Sequence, residues 1–271
     1  ADLDRLVAIA QAHSIPLIED CAQAHGARYA GRHVGCFGAA GTFSMQHSKL
    51  LTSGEGGAVV TNSACLARRL AHLRADGRTR CAYPPGIDEM ELVETAELMG
   101  NNHCLSEFHA AILVAQLEVL EEQLALRRRN ASDLDSYMVS LGFVPQATSS
   151  GTTERSHYTY VVRLPQSIVE THGAEWFAAA LSAELRLPCK TMYSSLNQSR
   201  LYKPFSRNRF RLNKAFTDAI DPSRYQVPLA QDFSKSCIAL PHRMLLADAS
   251  AIKHVAAAFE KVARLIDNRH V

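Results

Sequence analysis

The sequence has no surplus of charge of either sign and few aromatic residues. Its 271 residues include 29 lysines and arginines against 27 aspartates and glutamates, giving a net charge of +2, and aromatic residues make up 7%. A near-neutral chain gives no electrostatic reason to expect nucleic acid as a partner. With 47% apolar and 21% charged residues, the composition is that of a globular protein and argues against disordered or collagen-like chains.

Long hydrophobic runs and paired cysteine motifs are also missing. No stretch approaches the roughly 18 consecutive apolar residues of a membrane helix, so no membrane association is expected. The seven cysteines are widely spaced, with no C-x-x-C pair and no His/Cys cluster at metal-ligand spacing, so no metal site is predicted. Separate thiols in odd number are typical of a reducing compartment, and we expect a cytoplasmic protein.

Short apolar strands alternate with helices in the first half of the chain. Helical periodicity at residues 3–13 is followed by an apolar run at residues 15–18, which predicts a buried strand. A second run at residues 58–61 precedes a helical pattern at residues 64–73. This alternation predicts an α/β fold with a mostly parallel sheet.

The second half of the chain has a different pattern. A connection rich in proline and glycine at residues 77–102 predicts a long functional loop, and a long helix begins at Ser106. A mixture of strand and helix follows: a strand at residues 157–164, helices at 168–185 and 249–266, and a polar stretch at 193–225. We therefore expect two domains, residues 1–140 and a smaller α+β domain at 141–271.

Candidate functional residues concentrate between residues 20 and 57. Asp20 follows an apolar strand, at the carboxyl end where open α/β sheets bind ligands, although a surface turn would also explain it. Ser44 ends another strand-like stretch, and Lys49 lies five residues later, before a glycine-rich turn at residues 54–57. A pyridoxal phosphate (PLP) site needs an attaching lysine, an acidic partner for the pyridine nitrogen and a phosphate donor. These three residues supply one of each.

The segments around these residues resemble the DegT/DnrJ/EryC1/StrS aminotransferases, which are PLP-dependent enzymes of fold type I. The similarity is carried by IEDCAQAHG at residues 18–26, FSMQHSKLLTSGEGGAVVTN at residues 43–62 and GNNHCLSE at residues 100–107. It covers nearly the whole chain. The resemblance implies a large PLP-binding domain with helices on both faces of a mostly parallel sheet, followed by a smaller C-terminal α+β domain.

The resemblance assigns roles to individual residues. Lys49 would be the catalytic Schiff-base lysine, Asp20 the partner of the pyridinium nitrogen, and Gln23 a contact near the cofactor's 3-oxygen. Ser44 would bind the phosphate. Asn102 would reach across the interface of a homodimer to the phosphate held by the neighbouring subunit, so that the active site lies at that interface.

Within the family, the segment SMQHSKLLTSGEGG at residues 44–57 is similar to one subgroup. Its members use L-glutamine to aminate scyllo-inosose or 2-deoxy-scyllo-inosose in aminoglycoside antibiotic biosynthesis. The resemblance implies an enzyme with L-glutamine as donor and a keto-cyclitol as acceptor. Two alternatives stay open: an aminotransferase of the family that acts on a nucleotide-linked keto sugar, and a non-catalytic PLP-fold partner subunit.

Several positions stay open or depart from the family. His25 has either a structural or a catalytic role. Cys104 stands where many members have Arg, and His109 stands where Gln is common. Four arginines of the second half are candidates for the cation that binds the donor's carboxylate, and none is singled out: Arg155, Arg207, Arg209 and Arg211. Three further residues there are candidates for a polyol pocket: Tyr193, Asn197 and Tyr202.

The start of the chain departs from the family more strongly. Ala1 stands where an initiator Met would, and the amphipathic pattern of Leu3 and Leu6 follows at once. Members of the family place a phosphate-binding turn and a ring-stacking aromatic residue before the strand that ends at Asp20. We therefore expect an N-terminally truncated large domain, which alone would bind PLP poorly and have little activity.

Overall fold

A computed structural model describes residues 1–81, 86–87, 91–95, 97–203 and 212–267. The chain divides into two compact units. The first comprises residues 1–128 and 148–158, and the second comprises residues 129–147 and those from 159 onward. The boundary at residue 140 that the sequence predicts stays a prediction, whereas the compact units divide within a long helix.

The first unit contains a three-stranded sheet in the order β1–β4–β5. Strand β1 (Ile18–Asp20) runs parallel to β4 (Ala40–Ser44), as the sequence predicts, and β4 pairs antiparallel with β5 (Gly57–Val60). A parallel β5 would need a long crossover connection, usually a helix. The chain between these two strands instead forms tight turns around Lys49, and the sheet is therefore mixed.

Strand β1 begins later than the predicted strand at residues 15–18. Pro16 has no N–H group to donate to a ladder, and Ile15 is 62% exposed. The carbonyl of Leu17 accepts a hydrogen bond from the N–H of Ala39 at 2.8 Å, directly before the ladder. The strand therefore begins at Ile18, and Asp20 is its last residue.

The remaining elements of the first unit are helices and short strands. Helix α1 is capped by Asp2, whose Oδ1 accepts the N–H of Arg5, and helix α2 is capped by Ser63, whose Oγ accepts the N–H of Leu66. The connection predicted as irregular contains a two-stranded antiparallel sheet, β6–β7, and its Pro84 and Pro85 lie outside the described residues. The elements are α1 (Leu3–Ala12), β2 (Arg28–Tyr29), β3 (Arg32–His33), α2 (Ala64–Arg74), β6 (Arg78–Arg80), β7 (Leu92–Glu94) and β9 (Thr152–Glu154).

The long helix predicted from Ser106 is α3 (Glu107–Ser140), in which the division between the units falls. The second unit has a four-stranded antiparallel sheet in the order β11–β12–β10–β8. The single helix predicted at residues 168–185 is two helices, because Gly173 has a φ of +79° at the junction. The elements are β8 (Val144–Pro145), β10 (Thr159–Arg163), α4 (Gln166–Thr171), α5 (Gly173–Leu185), β11 (Lys190–Thr191), α6 (Lys214–Ala219), α7 (Pro228–Ser236), β12 (Cys237–Pro241) and α8 (Ala249–Asp267).

The second unit has a continuous apolar core. Phe143, Phe177 and Phe259 are buried and lie with their ring centroids 5.2–5.9 Å apart. Leucine, isoleucine, valine and alanine side chains from its sheet and helices surround this aromatic cluster. Among the described residues, no helix has the length and apolar character that crossing a membrane requires.

Candidate active site

The ends of two parallel strands bring Asp20 and Ser44 to one edge of the sheet. Asp20 pairs in register with Thr42, and Ser44 lies two residues further along β4. Because side chains alternate along a strand, Asp20, Thr42 and Ser44 point to the same face. Strand spacing and rise place the Cα atoms of Asp20 and Ser44 about 8 Å apart.

Asp20 and Gln23 lie on the turn after β1, and both are exposed. The Oδ1 atom of Asp20 accepts the N–H of Ala22 at 3.0 Å. No donor among the described residues contacts Oδ2, so this oxygen is available to a ligand. The main-chain carbonyl of Gln23 accepts a hydrogen bond from the Ser156 hydroxyl at 2.9 Å, which fixes the backbone of the turn.

Backbone hydrogen bonds hold the turn that carries Lys49. Its N–H donates to the carbonyl of Gln46 at 2.9 Å, and Met45 and Gly56 are joined by a hydrogen bond of the same length. Leu50, directly after the lysine, is buried and anchors the segment. Gly56 has a φ of +142°, a conformation that side-chain-bearing residues rarely adopt. The turn is therefore fixed at both ends while the lysine side chain stays half-exposed.

The amine of Lys49 lies over an aromatic ring that the sequence analysis did not identify. Its Nζ is 4.8 Å from the ring centroid of Tyr158. None of the ion pairs found among the described residues involves Lys49. An amine without a carboxylate partner remains available to attach a carbonyl group.

Glu19 is a second residue that the sequence analysis did not identify. It precedes Asp20 and points to the opposite face. Its carboxylate is buried and accepts three backbone N–H groups: those of Gly35 at 2.6 Å, Phe37 at 2.6 Å and Gly38 at 2.7 Å. Hydrogen bonds to a charged acceptor are among the stronger ones in proteins. Glu19 thus ties the loop at residues 35–38 to the strand whose end carries Asp20.

His25 lies on the same side of β4 as Phe43, with the two ring centroids 5.5 Å apart. The imidazole is buried, and neither nitrogen has a partner with normal hydrogen-bond geometry among the described residues. Burial lowers the pKa of His25, and the charge of Lys49 lowers it further. A backbone contact with Ser44 raises this pKa and so opposes the shift. A neutral ring packed on Phe43 favours the structural role for His25, and a catalytic role stays a prediction.

Asn102 lies on an exposed segment that runs along the end of α2. Its Oδ1 accepts the N–H of Cys104 at 3.3 Å, and the Cys104 thiol is 3.7 Å from the carbonyl oxygen of Arg74. His109 pairs instead with Ser106 at the start of α3, with 3.0 Å between Nδ1 and Oγ. No contact within the described residues brings Asn102 to Lys49, so its reach to a neighbouring subunit stays a prediction.

The candidates for the donor's carboxylate and the polyol are not brought to Lys49 by any contact among the described residues. Arg155 lies in the first compact unit, although its place in the sequence falls in the predicted C-terminal domain. Asn197 is engaged within the second unit, where its Nδ2 donates to the carbonyl of Tyr225 at 2.8 Å. Tyr193 is 84% exposed and Tyr202 is 43% exposed. The remaining arginines, Arg207, Arg209 and Arg211, lie outside the described residues.

The described residues fit PLP on the evidence of their own geometry. Asp20 offers an open carboxylate oxygen, Ser44 offers a half-buried hydroxyl on the same face, and the turn between β4 and β5 holds the unpaired amine of Lys49. An acidic partner, a hydroxyl and an amine at the carboxyl edge of an α/β sheet are the groups that a PLP-dependent enzyme requires.

The chain belongs to the DegT/DnrJ/EryC1/StrS aminotransferase family, which residues 1–260 match. It is 54% identical over 264 residues to the L-glutamine:2-deoxy-scyllo-inosose aminotransferase of Streptomyces lividus, with 97% of this chain and 62% of that protein covered. It is 50% identical over 262 residues to the L-glutamine:scyllo-inosose aminotransferase of Streptomyces griseus, with the same coverage of 97% and 62%. The chain thus spans less than two thirds of the length of these curated relatives.

Solved structures agree with this fold. The chain matches 3-amino-5-hydroxybenzoic acid synthase with a TM-score of 0.75 and 30% identity, covering 98% of this chain and 65% of that one. An aminotransferase from Psychrobacter cryohalolentis matches with a TM-score of 0.75 and 25% identity, covering 98% of this chain and 66% of that one.

Proposed function

We propose that this chain carries the catalytic lysine of a PLP-dependent aminotransferase that moves the amino group of L-glutamine to a keto-cyclitol. The acceptor is scyllo-inosose or 2-deoxy-scyllo-inosose, and the reaction belongs to aminoglycoside biosynthesis. The observation that carries this proposal is the grouping of Asp20, Ser44 and Lys49 at one edge of the sheet. The names of relatives that are 50–54% identical support the choice of substrates.

The proposed chemistry divides among these three side chains. PLP, when bound, supplies a ring that accepts the electron pair left when a substrate proton is removed. Lys49 would hold the cofactor and would move a proton at the α-carbon of the donor as general base and acid. Asp20 pairs with the pyridine nitrogen and favours its protonated form, and the Ser44 hydroxyl binds the phosphate.

The remaining assignments extend the proposal beyond one subunit. We assign Gln23 to the side of the cofactor ring, near its 3-oxygen. Asn102, which is exposed, binds the phosphate in the neighbouring subunit of a homodimer, so that each active site uses residues of both subunits. We place the enzyme in the cytoplasm, where the seven cysteines of its sequence remain thiols.

Visible absorbance tests the proposal, because PLP attached to a lysine and the aminated cofactor absorb at different wavelengths. The full-length enzyme loaded with PLP is expected to lose its visible band when L-glutamine is added without an acceptor, and to regain it when 2-deoxy-scyllo-inosose or scyllo-inosose follows. Recovery only with a nucleotide-linked keto sugar would replace the acceptor in our proposal. No spectral change with any amino donor would favour a non-catalytic subunit.

A further inference from the structure

Residues 148–158 lie far from the lysine turn in the sequence but belong to the same unit. Strand β9 pairs antiparallel with β2. Beside this pairing, Glu154 forms ion pairs with Arg28 at 3.7 Å and with Arg128 at 2.8 Å. The segment is therefore anchored on the first unit shortly before it reaches Tyr158.

The two residues before Tyr158 fix its direction. The Ser156 hydroxyl donates to the carbonyl of Gln23, on the turn that follows Asp20, at 2.9 Å. His157 is buried and has a φ of +54°, in the left-handed region that few non-glycine residues occupy. Such backbone strain persists only where the surrounding structure maintains it, and it concentrates at functional sites.

A chain of hydrogen bonds holds the Tyr158 ring against the lysine turn. The Tyr158 and Ser48 hydroxyl oxygens are 3.1 Å apart, and the Ser48 hydroxyl donates to Oε1 of Gln46 at 2.6 Å. Because a serine hydroxyl has one proton, Ser48 gives it to Gln46 and accepts from Tyr158. The phenol of Tyr158 therefore donates its hydrogen bond to the Ser48 hydroxyl.

The Tyr158 ring lies within cation–π distance of the Lys49 amine, at 4.8 Å from Nζ to the ring centroid. We propose that Tyr158 is a positioning residue for Lys49: its ring confines the amine on the side of the strand ends that carry Asp20 and Ser44. This inference rests on the proposed function, in which Lys49 is released from the cofactor during each cycle and must stay within reach of the donor's α-carbon.

The variants Tyr158→Leu and Tyr158→Phe separate the ring from the hydroxyl, and Tyr137→Leu, at an exposed position of α3, is the matched control. For Tyr158→Leu we expect kcat of the glutamine half-reaction to fall by roughly 100-fold, since small misplacements of a reacting group have effects of that size. KM for L-glutamine should change little. Tyr158→Phe keeps the ring and loses one hydrogen bond, so its kcat should stay within about tenfold of the wild type.

A readout besides turnover is the rate at which PLP attaches to Lys49 after the cofactor has been removed, followed by visible absorbance. We expect slower attachment in Tyr158→Leu, and a smaller, equal slowing in Tyr158→Phe and Ser48→Ala because both break the same hydrogen-bond chain. If Tyr158→Leu does not fold, as judged by circular dichroism, the proposal is tested by whether PLP attaches equally slowly in Tyr158→Phe and Ser48→Ala. Tyr137→Leu should match the wild type.

Two results would overturn the role of Tyr158 while leaving the proposed function intact. One is wild-type kcat and attachment rate in folded Tyr158→Leu, and the other is unequal attachment rates in Tyr158→Phe and Ser48→Ala. Failure of the proposed function itself has a different signature, because wild-type enzyme would then form no borohydride-stable link between PLP and Lys49.

Discussion

Both units bury apolar and polar side chains, but they differ in where the buried polar groups lie. The second unit packs an aromatic cluster of Phe143, Phe177 and Phe259 inside a continuous apolar core. The first unit buries the polar groups Glu19 and His25 close to the proposed active site. Apolar burial stabilises without regard to direction, whereas a buried charge such as the Glu19 carboxylate is tolerated when its hydrogen-bond donors are correctly placed. The described core of the second unit is therefore suited to stability, whereas buried polar groups of the first unit lie where the proposed chemistry takes place.

The largest expected effect is on turnover, and it separates catalysis from stability. Lys49→Ala should lower turnover by at least about 10⁴-fold, because the variant loses both the attachment point and the general acid–base group. Thermal stability should change little, since the Lys49 side chain is half-exposed and forms no ion pair with the other described residues. Steady-state kinetics and a melting curve measure both effects. Lys253→Ala, at an exposed position of α8, is the control, and wild-type turnover in Lys49→Ala would contradict the assignment.

The converse change removes part of the apolar core of the second unit. Phe177→Ala should lower the free energy of unfolding by about 3–5 kcal/mol, because it deletes a fully buried ring. Leu229→Ala, at a side chain that is 85% exposed, should change it by less than about 0.5 kcal/mol. Urea denaturation measures both values. Equal effects of the two variants would mean that the core described here does not carry the stability of the unit.

A change at Glu19 tests whether polar burial in the first unit sets geometry. In Glu19→Gln an amide NH₂ replaces one carboxylate oxygen and meets a backbone N–H, so the free energy of unfolding should fall by about 2 kcal/mol. PLP affinity should fall as well, because Glu19 adjoins Asp20 in β1. Glu118→Gln, at an exposed position of α3, provides the matched control. Unchanged stability and affinity would show that the three hydrogen bonds are dispensable.

The smallest expected effect is a pH dependence. Burial lowers the pKa of His157 from 6.5 to about 4, and the charges of Arg155 and Arg128 add to the shift. Because the unfolded chain binds the proton more readily, stability falls as the pH drops from 6.5 towards 4. His157 should contribute about 1 kcal/mol of loss between pH 7.5 and pH 5.5.

Asparagine tolerates a positive φ, so His157→Asn should keep the backbone conformation. The variant should remove the contribution of His157 to the pH dependence of the melting temperature. The pKa of His25 is also lowered, so a shallower slope of the same sign should remain. His254→Asn, at an exposed position of α8, should leave the slope unchanged. A slope in His157→Asn equal to that of the wild type would refute the assignment.

The sequence predicts the parts of the site that depend on local chain direction. Asp20, Ser44 and Lys49 follow strand ends or precede glycine turns within 30 residues of one another, and the structure has Asp20 and Ser44 as the last residues of β1 and β4. Tyr158 could not be predicted, because its contact with Ser48 joins residues that are 110 apart in the sequence. Nothing local indicates such a contact.

Glu19 did leave a signal in the sequence. A glutamate between Ile18 and the strand-end Asp20 points away from the ligand face, and a carboxylate that is buried there needs donors. The glycines at 35 and 38 lie in the loop that supplies them. The pairing of β4 with β5 depended instead on the shape of the turn around Lys49, which strand periodicity does not encode.

The position at which PLP is attached tests the proposed role of Lys49 most directly. The full-length enzyme is incubated with PLP, reduced with sodium borohydride and digested, and the modified peptide is identified by mass spectrometry. We expect a pyridoxyl group on Lys49, in the peptide that contains residues 46–50, and its loss when L-glutamine is added before reduction. Modification of a different lysine, or none in enzyme that binds PLP, would contradict the central claim.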